Sequence, residues 1–110
     1  MNCIRSAIPY LNPGSCIVNI SSILRHHGLS KGADSAASKA GVIALTRCIA
    51  HELAPQNIRI NAIAPGPVDT LLMAGSLADF RCVLGASWED IVPMGHLGAP
   101  EEVADLTEFL

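Results

Sequence analysis

Several groups of residues in this sequence could carry chemistry. Four histidines (His26, His27, His51, His96) and four cysteines (Cys3, Cys16, Cys48, Cys82) offer metal-type or redox groups. Glu101-Glu102 offer paired carboxylates, Gly28 to Gly32 a glycine-bearing loop, and Ser21, Ser22 and Lys39 hydroxyls and an amine. The histidines make no metal set, because His26 and His27 are neighbours whose side chains diverge in most loops and His51 lies a helix away. The cysteines carry no CxxC pair and no dense framework, which points to a reduced, intracellular compartment. Gly28-Leu29-Ser30-Lys31-Gly32 lacks the GxGxxG or TGxxxGxG spacing of a phosphate cradle and reads as loop. Glu101-Glu102 follow Pro100, where acids favour a helix start, and are not an acid/base pair. Taken singly, Ser21-Ser22 mark a strand-to-loop transition and Lys39 a solvated helix position.

What these groups can do together depends on the elements that hold them. Cys16 to Ile20 (CIVNI) is a β-branched apolar run entered through Asn12-Pro13-Gly14-Ser15, which reads as a strand buried on both faces, with Asn19 its polar exception. Ile23 to Asp34 has no sustained period and reads as loop. Ser35 to Ala54 is helical: Ala40, Ile43, Cys48 and Leu53, with Ala36, Ala44 and Ala50, make a broad apolar surface, and Lys39, Thr46, Arg47, His51 and Glu52 the polar remainder. Pro55 closes it. Asn57 to Ala64 is a second strand, stopped by Pro65-Gly66-Pro67. Strand, helix, strand in this order is a βαβ unit with parallel strands and a right-handed crossover. Leu71 to Phe80 and Trp88 to Ile91 are short helical segments, and Pro100 to Leu110 is a final helix. Two parallel strands do not make a stable open sheet, so this is expected to be part of an α/β fold.

Composition narrows the function. Half of the 110 residues are hydrophobic and 15% charged, with a mean hydropathy of +0.39, which excludes a disordered chain. Seven Lys and Arg against ten Asp and Glu give a net charge of −3 with no basic run, so no nucleic-acid partner is expected. No apolar stretch approaches the ~18 to 20 residues that cross a bilayer, so no membrane partner is expected either. The first residues lack the apolar core of a signal peptide, and the expected location is cytoplasmic. The apolar excess suggests surfaces that await a partner or further chain.

Four strings now become specific together. Gly14 to Ser22 (GSCIVNISS), Ser35 to Gly41 (SAASKAG), Leu53 to Thr70 (LAPQNIRINAIAPGPVDT) and Pro93 to Leu110 (PMGHLGAPEEVADLTEFL) stand in order and spacing. So placed, the chain resembles the short-chain dehydrogenase/reductase family over nearly its whole length. The resemblance implies a partial Rossmann fold (a doubly wound parallel sheet), of which this chain supplies a βαβ unit plus C-terminal lid and helix. Residues 1–110 would then be a partial domain without the N-terminal Gly-rich nucleotide-binding half and without the last strand.

That family moves a hydride between a nicotinamide ring and a carbonyl or alcohol carbon, so the cofactor implied is NAD(P) and the substrate a small carbonyl or alcohol. A Tyr hydroxyl exchanges the proton, a Lys four residues on promotes its ionisation, and a Ser at the preceding strand end hydrogen-bonds the substrate oxygen. By the resemblance, Ser22 takes the Ser position, and Lys39 takes the Lys position and also meets the nicotinamide ribose. The Tyr position holds Ser35. A phenol ionises near pH ~10, whereas an aliphatic hydroxyl is a far weaker acid and several ångströms shorter. Tyr10 lies out of register. The family's relay Asn falls upstream of Met1. Pro65 and Gly66 match the loop beside the nicotinamide, with the Val68 backbone and the Thr70 hydroxyl on its carboxamide. Leu71 to Phe80 and Trp88 would form the lid.

Two functions follow. One is an NAD(P)-dependent oxidoreductase that is inactive as this isolated chain, since Tyr and phosphate loop are both missing from it. The other is a non-catalytic remnant or dimerisation module, because the family pairs its Lys-bearing helix with a second copy; here that would be Ser35–Ala54. The choice of NAD or NADP is set near a strand outside this sequence.

Overall fold

The computed structural model describes residues 2–23, 32–74 and 87–110. In chain order its elements are α1 (Asn2–Ala7), β1 (Cys16–Ile20), α2 (Ala33–Leu53), β2 (Arg59–Ile63), α3 (Trp88–Ile91) and α4 (Pro100–Phe109). Single 3-10 turns at Ile8–Tyr10 and Ala54–Gln56 follow α1 and α2.

The two strands pair in parallel, Cys16 opposite Arg59 through Ile20 opposite Ile63. Parallel pairing of consecutive strands requires a crossover, and α2 is that crossover. Turn chemistry fixes both strand entrances. Gly14, at φ +91°, lets the chain reverse before β1 in a conformation that side chains disfavour. Asn57, at φ +55°, ends the α2 overrun in the left-handed region, which Asn tolerates better than most residues. The ladder continues past the strands: Gly14 N–H donates to Asn57 C=O at 2.7 Å at one end. At the other, Ser21 N–H donates to Ile63 C=O at 2.7 Å and Ile23 N–H to Pro65 C=O at 3.0 Å.

One core holds this unit. Ile49 and Leu53 of α2 meet Ile58 and Ile60 around β2, and all four are buried. Ile4, Ile8 and Leu11 close the cluster from the N-terminal side, with Ile17, Leu45 and Ala50 packed against it. The short helix α1 is an element that the sequence pattern did not announce, because Pro9 and the weak period hide it.

Several expectations on the elements need correction. The helix begins at Ala33, two residues before Ser35, and the second strand is shorter than Asn57–Ala64. Strand β1 is not buried on both faces: Cys16 to Asn19 are half-buried and Ile20 is 45% exposed, since only β2 and one helix face cover it among the described residues. Within α2 the faces differ from the pattern. Thr46, read as polar remainder, is buried, and Cys48, read as apolar surface, is exposed. The burial face runs through Thr46, Ile49 and Leu53, at helical spacing.

The final helix has its own start signal. Pro100 opens it, and the Glu102 carboxylate reaches back to accept from Ala99 N–H at 2.7 Å. Among the described residues no helix is long and apolar enough to cross a membrane. Of the loop expected at Ile23 to Asp34, residues 24–31 lie outside the described part, as do residues 75–80 of the expected Leu71–Phe80 helix. Residues 71–74 are helical.

Candidate active site

Of the residues that the resemblance singles out, Ser22, Lys39 and Pro65-Gly66 lie at the carboxyl ends of the two strands. This is where open α/β sheets bind their ligands, because loops leaving parallel strands share that edge. Ser22 sits between two ladder contacts, Ser21 to Ile63 and Ile23 to Pro65. That arrangement brings the Pro65-Gly66 turn alongside the β1 exit. The turn also packs closely, since a Cβ on Gly66 would stand 3.8 Å from Ile23 Cγ2, an ordinary contact.

Helix α2 reaches the same end. The Lys39 ammonium donates to the Ile20 carbonyl at 3.1 Å, two residues before Ser22. In return the Ser21 hydroxyl donates to the Lys39 carbonyl at 2.8 Å. Ser35 lies one turn before Lys39, exposed, and its carbonyl accepts from the Ser38 hydroxyl at 2.8 Å. Ser22, Ser35 and Lys39 therefore share one end of the βαβ unit. An exposed, short hydroxyl stands at position 35.

Val68 and Thr70 follow on the connecting loop. Val68 forms a parallel bridge with Gly98, with Gly98 N–H donating to Pro67 C=O at 3.0 Å and Asp69 N–H to Gly98 C=O at 2.8 Å. This bridge ties the loop after β2 to the segment before α4. The Thr70 hydroxyl accepts from Met73 N–H at 3.2 Å and so caps the helical turn at 71–74. A hydroxyl that accepts one hydrogen bond still has its proton to donate.

Two features fall outside this cluster. An open groove of about 340 Å³ lies between Ile43, Thr46, Arg47 and Ala50 of α2 and Ile60 to Ala62 of β2, and none of Ser22, Ser35, Lys39 and Pro65 to Thr70 lines it. Among the described residues no three His, Cys, Asp or Glu side chains gather as metal ligands, and His26 and His27 lie outside them.

A family model described as enoyl-(acyl carrier protein) reductase matches residues 1–110, the full sequence given. The chain belongs to the short-chain dehydrogenase/reductase family. Among the family's curated members, the cis-4-hydroxycyclohexanecarboxylate dehydrogenase of Sinomonas cyclohexanicum is 47% identical over 94 residues, covering 86% of this chain and 36% of that enzyme. The 3-oxoacyl-(acyl-carrier-protein) reductase of Chlamydia pneumoniae is 42% identical, again over 86% of this chain and 36% of the relative. Among solved structures, a short-chain dehydrogenase/reductase from Brucella melitensis named as a glucose/ribitol dehydrogenase superposes with a TM-score of 0.79 at 28% identity, over 97% of this chain and 42% of that one. The chain thus spans little more than a third of the length of these curated relatives. Its βαβ unit is part of the family's doubly wound Rossmann sheet, and the family at large consists of NAD(P)-dependent oxidoreductases of carbonyls and alcohols.

Sequence reasoning missed Ser21 at this end of the molecule, and the Asn19–Thr46 bond that joins β1 to α2 further along. Ser21 had been read only as the strand terminus, yet it is 4% exposed. The signal was there in Asn19, a polar residue in an apolar strand, whose amide donates to Thr46 Oγ1 at 2.9 Å.

Proposed function

We propose that this chain carries the substrate side of an NAD(P)-dependent oxidoreductase site for a small carbonyl or alcohol, with the proton-exchanging phenol replaced by Ser35. The observation that carries the reading is the Lys39 ammonium held at the β1 terminus, two residues from Ser22. Its three donors exceed the one carbonyl it meets among the described residues, which leaves N–H groups for the hydroxyls of a ribose. Thr70 keeps a proton to offer a carboxamide, and the Val68 backbone with Pro65-Gly66 would line the ring beside it. The donor set fits a nicotinamide nucleoside, whose ring, when bound, gives or takes the hydride.

The chain's own residues then divide the remaining work. Ser22 hydrogen-bonds the substrate oxygen and orients it, and Lys39 holds the ribose. At position 35 the shorter and much less acidic hydroxyl leaves the proton transfer to the substrate oxygen unassisted. Residues 1–110 also contain no Gly-rich phosphate loop, so in this reading they are a partial family domain that binds cofactor weakly by itself. The 110-residue chain is therefore expected to give no protein-dependent NADPH oxidation with a panel of ketones. Turnover that disappears in Lys39→Ala would contradict this.

A second reading rests on the outer face of α2. Ala37, Ala40, Gly41, Ala44 and Cys48 are exposed together at helical spacing, and nothing stands within 4 Å of a Cβ placed on Gly41. Such small residues allow the close approach of a second helix, and in this reading α2 pairs with its copy in a homodimer.

A further inference from the structure

Ser21 has no part in the hydride-transfer reading, yet it and Thr46 are the two buried polar residues among the described residues. Both are engaged between β1 and α2. The Ser21 hydroxyl donates to the Lys39 carbonyl at 2.8 Å, and the Lys39 ammonium donates back to the Ile20 carbonyl at 3.1 Å. Lys39 is thereby tied to the strand end through its main chain and its side chain at once. Further along the same helix face, Thr46 Oγ1 accepts from Asn19 Nδ2 at 2.9 Å and donates to the Val42 carbonyl at 2.8 Å. Lys39, Val42 and Thr46 recur at the three- and four-residue steps of one helical stripe.

We infer that Ser21 is the positioning residue of this site: its hydroxyl fixes the Lys39 turn of α2 at the height of the β1 terminus and so sets where the Lys39 ammonium stands beside Ser22. The inference rests on the reading of Ser22 and Lys39 given above. A Lys amine rides on a flexible four-carbon stem, so one contact at its tip defines its place poorly. Holding the backbone of the same residue converts the tip contact into a local closure, at a much higher effective concentration of its acceptor. Ser21 reaches that backbone from the residue next to the acceptor, so each of the two hydrogen bonds shortens the search for the other. The Asn19–Thr46 bond sits along the helix from this closure. It holds strand to helix without touching Lys39.

The test is the accessibility of the Lys39 amine in the folded 110-residue chain, read by trace labelling with acetic anhydride and mass spectrometry against N-acetyl-lysine methylamide. In the unmodified chain Lys39 should label roughly two- to tenfold more slowly than the model amine, the range that one net hydrogen bond gives. Ser21→Ala should remove most of that protection, and Ser21→Cys, a weaker donor of similar size, should remove part of it. Thr46→Val, which cuts the other strand–helix bond, should leave Lys39 protected. An unmodified Lys39 that labels as fast as the model amine overturns the inference, and that measurement stands even where Ser21→Ala does not fold. Full protection in Ser21→Ala, or equal deprotection by Thr46→Val, overturns it as well. Failure of the hydride-transfer reading would appear elsewhere, in the cofactor and ketone assays, with this labelling pattern intact.

Discussion

The proposed chemistry at the strand ends turns on position 35. A carbonyl oxygen that gains a hydride at carbon needs a proton, and a positioned acid contributes a factor of about 10² to 10⁴ to that step. Ser35 is exposed and one helical turn from Lys39; in the proposed reading it stands where that acid would be. In the proposed reading, restoring the phenol in this chain is not sufficient, because the 110 residues contain no Gly-rich phosphate-loop motif. Ser35→Tyr should accordingly leave NADPH oxidation at the protein-free baseline, and a gain of turnover in that single variant would refute this division of labour. The strand and the helix that carry Ser22, Ser35 and Lys39 were legible from strong local patterns, whereas the roles proposed for these residues came from the family resemblance. Ser21 was not, because sequence shows a Ser pair and cannot say which hydroxyl meets the helix.

At the scale of elements, the unit stands on one small core. Leu53 is 2% exposed and joins the end of α2 to Ile58 and Ile60. Leu53→Ala should cost about 2 to 5 kcal/mol by loss of burial plus the cavity left behind, seen as a lower urea midpoint with an unchanged slope. A loss below ~1 kcal/mol would mean that this cluster does not hold the fold together. The strand Cys16–Ile20 was read to the residue, because turn residues bound it on both sides. The faces of α2 were harder to read: with alanine on every side, apolar contrast is weak and the choice of buried stripe falls to tertiary packing. That is why Thr46 and Cys48 exchanged places between expectation and structure. The start of α2 also lay earlier than expected, since Ala33 and Asp34 suit a first turn as well as Ser35 does.

For the whole molecule, the family match over residues 1–110 extends on both sides of the parallel pair and its crossover, while the chain spans 36% of relatives such as the Chlamydia pneumoniae reductase. Among the described residues the two-stranded parallel sheet has unpaired outer edges, and α2 presents small residues outward. If α2 pairs with its copy, sedimentation should give a dimer, and Ala44→Glu should return it to monomer by placing a charge in a close helix contact. A monomer at all accessible concentrations would remove that reading. The central claim concerns chemistry, and its most direct test restores the rest of the sheet around this site. The Gly14–Thr70 segment would be placed in the Chlamydia pneumoniae 3-oxoacyl-(acyl-carrier-protein) reductase in place of its aligned segment, with either Ser or Tyr at position 35. The Tyr form should reduce substrate, and the Ser form should fall below it by about 10² to 10⁴ in kcat with cofactor binding retained. Equal rates from the two forms would contradict the claim that position 35 is the missing acid of this site.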